Sequence, residues 1–245
     1  MLYVKKINLR CSFLLLLIII FLSGNASLGH TQNDIDARLK EGEIIACSED
    51  VEGTRVKKGT VIGVINVPPE TVWQVITDNN NFKKFMPQTL DSLIVTKEKV
   101  AKILKKNPKK RSQIEKLLNK QVSHSLPLQP SGGKRVVYFY SLLDFPWPIS
   151  NRWYIIKIDR DETRAAEHIY FDSWNLEIGN LKMNQGFWLL EPFGEGCTKT
   201  TYQLLIDPGG NIPKFFIDIG TKVTMPDVIR AVREQAYTIY KKEKR

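Results

Sequence analysis

Histidine and cysteine are both scarce in this chain of 245 residues, with three of each. No HExxH, CxxC, GxSxG or phosphate-loop pattern occurs, which removes the recognisable zinc hydrolases, dithiol redox proteins, serine hydrolases and nucleotide-binding motors. Of the histidines, His30 lies at an expected processing site and His124 in an excursion bounded by proline and glycine. Only His168, in the run EHIYFDSW, is placed on an expected strand, and a lone strand histidine is more often packed or solvated than catalytic. Asp144, Glu167, Asp172 and Glu177 stand near expected strands, but no spacing pairs them as general acid and base. The chain also lacks a Pro/Gly/Ser linker and any internal repeat, so residues 43–245 read as one domain. These absences favour a non-enzymatic protein with no cofactor and no metal.

Charge is plentiful but unevenly placed. The whole chain carries a net charge of +10. Lys5, Lys6 and Arg10 precede an unbroken apolar run, Phe13 to Leu22, and then the small-residue tract SGNASLG, the three-part pattern of a secretory signal. The run is short against the roughly 20 apolar residues that span a bilayer, so cleavage near Ala26 or Gly29 is expected rather than a retained anchor. Residues 1–29 read as a signal peptide and 30–42 as an N-terminal segment, with the product periplasmic or extracellular. Removal of 1–29 takes away three basic residues and leaves +7. Cys47 and Cys197 then remain, open either to a single bridge or to two separate thiols.

The runs GEIIACSED and GTVIGVINV read as a first hairpin. Pro68-Pro69-Glu70 supplies a rigid, acidic helix start, and Val72, Trp73, Val75 and Ile76 form its apolar stripe. An asparagine run at 79–81 breaks this helix near Asp78, and FKKFMP adds one more turn. After a strand at Asp91 to Thr96, the segment 97–120 carries ten Lys or Arg against two Glu. Val100, Ile103, Leu104, Ile114, Leu117 and Leu118 recur there at helical steps, and Pro108 divides the tract into two short helices. From Lys134 onward KRVVYFYSLLDF, RWYIIKIDRD, EHIYFDSW, NQGFWLLEPF and CTKTTYQLLID each read as strands. The turn PGGN then leads into a long amphipathic helix beginning IPKFFIDIG, with Phe215, Phe216, Ile219, Val223, Val228, Val232, Ala236, Ile239 and Tyr240 on one face. Seven or eight antiparallel strands, an early helical pair and a late helix make an α+β plan in which a curved sheet grips a helix.

Four segments in this order resemble the helix-grip superfamily that includes START lipid-transfer domains, polyketide cyclases and coenzyme Q-binding proteins. INVPPETVWQVITDNNNFKKFMP is similar to its strand-to-helix opening, and FPWPISNRWYII to the START-type Pro-aromatic-Pro-x-Ser-Asn-Arg segment. NQGFWLLEPF resembles the Gly-x-Trp strand, and DPGGNIPKFFIDIG the turn into the closing helix. Trp153 follows Arg152 where START-like segments commonly carry an acidic residue, and the basic insertion 97–133 exceeds a minimal version of the fold. The resemblance implies an apolar cavity between the concave sheet and the late helix, without fixing a ligand or a chemistry.

The expected lining is Phe85, Phe139, Trp147, Tyr154, Trp188, Phe216 and Ile219, with Arg152 placed for a ligand head group or, alternatively, for backbone carbonyls. A phospholipid, sterol-like lipid or quinone, bound and transferred without chemistry, is the preferred occupant. A cyclase or aromatase using the same cavity, or an interaction module without ligand, are the alternatives. The basic tract reads as a contact for an anionic membrane surface or as a solvated helix face; export argues against nucleic acid. The protein is expected to be a monomer, and the loop 207–211 is read as a hinge for the late helix.

Overall fold

The computed structural model describes residues 32–53, 56–118, 132–145, 150–210 and 224–244. The expected signal peptide, and Trp147, Phe216 and Ile219 among the expected lining residues, lie outside the described residues. Two units divide the chain, residues 1–37 and 38–245, and the helix α1 (Gln32–Lys40) crosses the boundary. The second unit holds the eight strands β1 (Ile45–Asp50), β2 (Lys57–Ile65), β3 (Thr89–Val95), β4 (Lys134–Leu143), β5 (Arg152–Asp161), β6 (Tyr170–Gly179), β7 (Met183–Pro192) and β8 (Thr198–Asp207). They form one antiparallel sheet in the order β1-β2-β8-β7-β6-β5-β4-β3. Its helices are α2 (Pro69–Thr77), α3 (Phe82–Phe85), α4 (Lys97–Lys106), α5 (Arg111–Leu118) and α6 (Met225–Glu243).

Side-chain alternation splits the apolar residues into two cores, one on each face of the sheet. On the concave face Ile156, Ile158, Tyr170, Trp174, Trp188 and Leu190 meet Val72, Trp73, Val75 and Ile76 of α2 and Ile229, Val232 and Ala236 of α6. On the convex face Tyr140, Leu142, Trp153 and Ile155 meet Val100 and Ile103 of α4 and Ile114 and Leu118 of α5. The basic insertion therefore covers the outside of the sheet, opposite the late helix. Covering on both sides explains why β5 is buried almost continuously from Arg152 to Ile156 instead of at every second residue.

Local chemistry sets the helix ends. Pro69 occupies the first turn of α2, where a missing N–H costs nothing, and Glu70 sits near the positive end of the helix dipole. Thr96 caps α4 by accepting from the Lys99 N–H, and Asn107 ends it in the left-handed conformation at φ 45°.

One expectation changes, one open alternative is decided and one lies beyond the described residues. His168 is not on a strand: it ends a 3₁₀ turn in the left-handed conformation, 61% of its side chain is exposed, and its Nδ1 faces Glu70 outside the cavity. Cys47 and Cys197 are free thiols. Cys47 pairs with Thr60 while the residue after Cys197 pairs with Ile65 by way of β8, so at least five strand positions separate them. That is roughly 16 Å of strand, far beyond a disulfide's reach. The late helix is described from Met225 onward, and its expected opening, IPKFFIDIG, lies outside the described residues.

Candidate functional site

The concave face does not close completely on its helices. A cavity of about 250 Å³ remains between β4–β8, α2, α3 and the start of α6. Alternation on β4 turns Phe139, Ser141 and Leu143 into it, β5 contributes Tyr154, Ile156 and Ile158, and the next three strands add Trp174, Trp188, Tyr202, Leu204 and Ile206. Phe82, Met86, Pro87, Gln88 and Thr89 border it along the edge strand, and Phe145, Pro208, Thr224 and Met225 at the same end of the sheet.

The aromatic wall depends on a glycine. A Cβ at Gly186 would come within 2.1 Å of the Gln203 carbonyl oxygen and 2.6 Å of Trp174 Cζ2, so only glycine lets the Trp174 ring lie over β7. Trp174 then stacks on Tyr202 at 5.9 Å, and Tyr202 meets Trp188 at 4.3 Å. The polar edges of this wall are satisfied: Trp174 Nε1 donates to Asn184 Oδ1 at 2.9 Å, and the Tyr154 hydroxyl bonds with Ser141 and Asn184. Burial pushes the Tyr154 and Tyr202 hydroxyls above the usual phenol range, so both stay neutral.

The far end of the cavity, away from Gln88 and Phe145, is polar. Asp172 lines it, 2% exposed, with Oδ2 3.6 Å from Arg160 Nε. Arg160 donates to the Thr77 carbonyl and to Asn79 Oδ1, while Arg135 and Trp73 both donate to buried Glu162, at 2.6 and 2.8 Å. Asp172 Oδ1 and Arg160 Nη1 have no hydrogen-bond partner among the described residues. Burial raises the Asp172 carboxyl to about 7, against the opposing pull of Arg160 and Arg135.

Of the expected lining residues, Phe139, Tyr154 and Trp188 border the cavity. Phe85 stands one layer behind, edge-on to Phe82 at 5.6 Å, and Phe82 is the residue that reaches the space. Arg152 is held by backbone: Nε donates to the Pro208 carbonyl at 2.8 Å and Nη1 to Ser150, and the residue is absent from the lining. Asp172, Trp174 and Asn184 were not expected. In YFDSW the tyrosine, aspartate and tryptophan share one strand parity, and that pattern places Asp172 inside. Among the described residues no cluster of three His, Cys, Asp or Glu is close enough to hold a metal.

An antiparallel sheet wrapped on a terminal helix around an apolar cavity defines a START-like, helix-grip protein. The family described as polyketide cyclase / dehydrase and lipid transport matches residues 65–233, and the chain belongs to it. The fold is shared with a STAR-related lipid transfer protein fragment from Xanthomonas axonopodis, at 18% identity and a TM-score of 0.56, covering 79% of this chain and 93% of that one. It is shared too with human StAR-related lipid transfer protein 5, at 10% identity and a TM-score of 0.58, covering 81% and 84%. An uncharacterized protein of Pseudomonas aeruginosa is 34% identical over 83 residues, 31% of this chain and 41% of that relative's length.

Proposed function

We propose that the protein binds a hydrophobic ligand in the concave-face cavity and carries it without chemical change. The observation that carries this reading is the wall of Phe139, Trp174, Trp188 and Tyr202, an apolar surface left facing open space inside the fold. Enclosure is what a carrier needs, because exposing a 16-carbon chain costs about 0.8 kcal/mol per CH₂, on the order of 13 kcal/mol in all. The basic, apolar and small-residue blocks of residues 5–29 support action in an exported compartment. No helix among the described residues is long and apolar enough to cross a membrane.

The test is organic extraction of the protein, purified under mild conditions, with mass spectrometry of the extract. A stoichiometric lipid or quinone supports a carrier; an empty extract, with candidate lipids offered and none retained, overturns it. One observation favours a cyclase-type reading in its place: Asp172 is a cavity-lining carboxyl poised to hold or release a proton. The two separate on Asp172→Asn, which under the carrier reading keeps the extracted ligand unchanged in chemical form and amount.

A further inference from the structure

From the edge of the sheet beside the cavity, we infer that the hairpin α4–α5, together with α3, is a docking surface for an anionic lipid bilayer. The inference goes beyond the carrier reading, and its test is separable from it.

Lys99 Nζ donates to the Leu118 carbonyl at 2.7 Å, so the start of α4 lies against the end of α5 and the connecting turn, 106–111, lies at the opposite end. α4 leaves the sheet after Val95, whose partner is Tyr138. At the other end of the hairpin, the Arg111 charge acts on Asp91 and on the Tyr140 hydroxyl. Asp91 pairs with Leu142, one residue from the cavity-lining Leu143 and two from the cavity-lining Thr89. The turn KNPKKR therefore sits at the same edge and end of the sheet as Met86, Pro87, Gln88 and Thr89, which border the cavity.

The charge there is not internally neutralised. Lys83 pairs with Asp91 at 2.9 Å and Arg111 with Glu115 at 2.7 Å. Lys105, Lys106, Lys109 and Lys110 are exposed and have no carboxylate partner among the described residues. The carboxylates facing this edge are Asp78 beside Lys84, Asp144 beside Gln88 and the two already paired.

Two further features separate this surface from an ordinary solvated helix. Its turn is held in shape: the N–H groups of Lys109 and Lys110 both donate to Gln113 Oε1, at 2.8 and 3.0 Å, and Pro108 is buried beneath them. It also carries bare apolar side chains. Leu90, 48% exposed, and Leu104, 40% exposed, are two of the four exposed large hydrophobic residues of the described chain; Leu104 lies on α4 and Leu90 on the adjoining edge strand β3. Fixed cations interleaved with exposed leucines at a cavity edge match a bilayer interface, where cations meet anionic head groups and apolar side chains reach the acyl boundary.

The experiment is sedimentation of the protein with vesicles of phosphatidylcholine alone, and of the same lipid with about 30% phosphatidylglycerol. Binding is expected only to the anionic vesicles, and to fall steeply between about 50 mM and about 300 mM salt. Each surface lysine contributes roughly fivefold, so replacing Lys105, Lys106, Lys109 and Lys110 together by alanine should lose on the order of several hundredfold. All four are exposed, and an unchanged thermal melt confirms folding. Replacing Lys241, Lys242 and Lys244, at the other end of α6, should change binding little. Equal loss in that control, equal binding to neutral vesicles, or binding to soluble polyphosphate but not to vesicles each overturns the proposal. Extracted ligand from the fourfold variant reports on the carrier reading alone: if it persists while vesicle binding is lost, both readings stand, and if it is absent from the wild type as well, only the carrier reading fails.

Discussion

Asp172 and Arg160 place an ion pair almost wholly out of bulk solvent, and the energetics of that pair depend on pH. Burial raises the Asp172 carboxyl to about 7, above its ordinary value of 3.8. The folded state therefore holds the proton more tightly than the unfolded chain, and the stability this group contributes falls as pH rises from about 4 to about 7. Removing the guanidinium should sharpen the effect. Arg160→Met leaves Asp172 buried with only the pull of Arg135, which drives its carboxyl still higher, so it should cost about 3–5 kcal/mol at pH 8, where the wild-type carboxylate is ionised and paired, and clearly less at pH 5, where the carboxyl keeps its proton in both proteins. Urea unfolding at the two pH values checks this, and an equal loss at both would show that the pair is not the source. Such residue-level detail was only partly legible in the sequence. The parity of Tyr170, Asp172 and Trp174 gives the inward direction, but Arg160 reaches Asp172 across a strand pairing that no spacing reveals. His168 shows the opposite failure: it sits in EHIYFDSW as if on the strand, yet the strand starts at Tyr170, because Ala165–Glu167 coil into a 3₁₀ turn.

Elements were easier to read than their faces. The strand runs, the two prolines opening α2 and the Pro108 break between α4 and α5 are local signals, and the structure carries each of them. Which side of the sheet α4 and α5 cover is not local, since Val100, Ile103, Ile114 and Leu118 mark an apolar stripe but not its target. The clue was β5, whose unbroken run WYII demands cover on both faces. Ile103 is fully buried in that convex core, so Ile103→Ala should cost about 2–5 kcal/mol in chemical denaturation and leave ligand extraction unchanged, because the cavity lies on the other face. Gly186 tests the concave face. Gly186→Ala forces Trp174 off β7 and should cost on the order of 1–3 kcal/mol. It should also shift tryptophan emission and weaken ligand retention. Loss of stability with unchanged emission would mean that the Gln203 backbone moves instead of the ring.

For the whole molecule, the question is how a ligand enters a cavity that its own closing helix helps to seal. Pro208, Thr224 and Met225 border the cavity where the chain passes from the last strand toward α6. Gly209 and Gly210 take positive φ, 70° and 76°, so the chain leaves β8 through two residues that side chains would disfavour. Gly209 N–H is tied to Asp207 Oδ1 at 2.8 Å, and a strut from the opposite side, Arg152 Nε, holds the Pro208 carbonyl. Burial disfavours the Arg152 charge, so those carbonyl bonds stabilise it in place, and it in turn pins the turn against β5. The sequence carried both possible roles for Arg152 and could not choose, because Pro208 is 56 residues away along the chain. If the turn is the gate, Arg152→Met should speed ligand release several-fold while leaving the cavity wall intact, at a stability cost of about 1.5–3 kcal/mol. Transfer of a fluorescent lipid from loaded protein to vesicles, followed in time, measures that rate. A slower or unchanged release from a folded Arg152→Met protein would mean that Arg152 only braces the fold and that the ligand leaves elsewhere, past the edge formed by Met86 to Thr89.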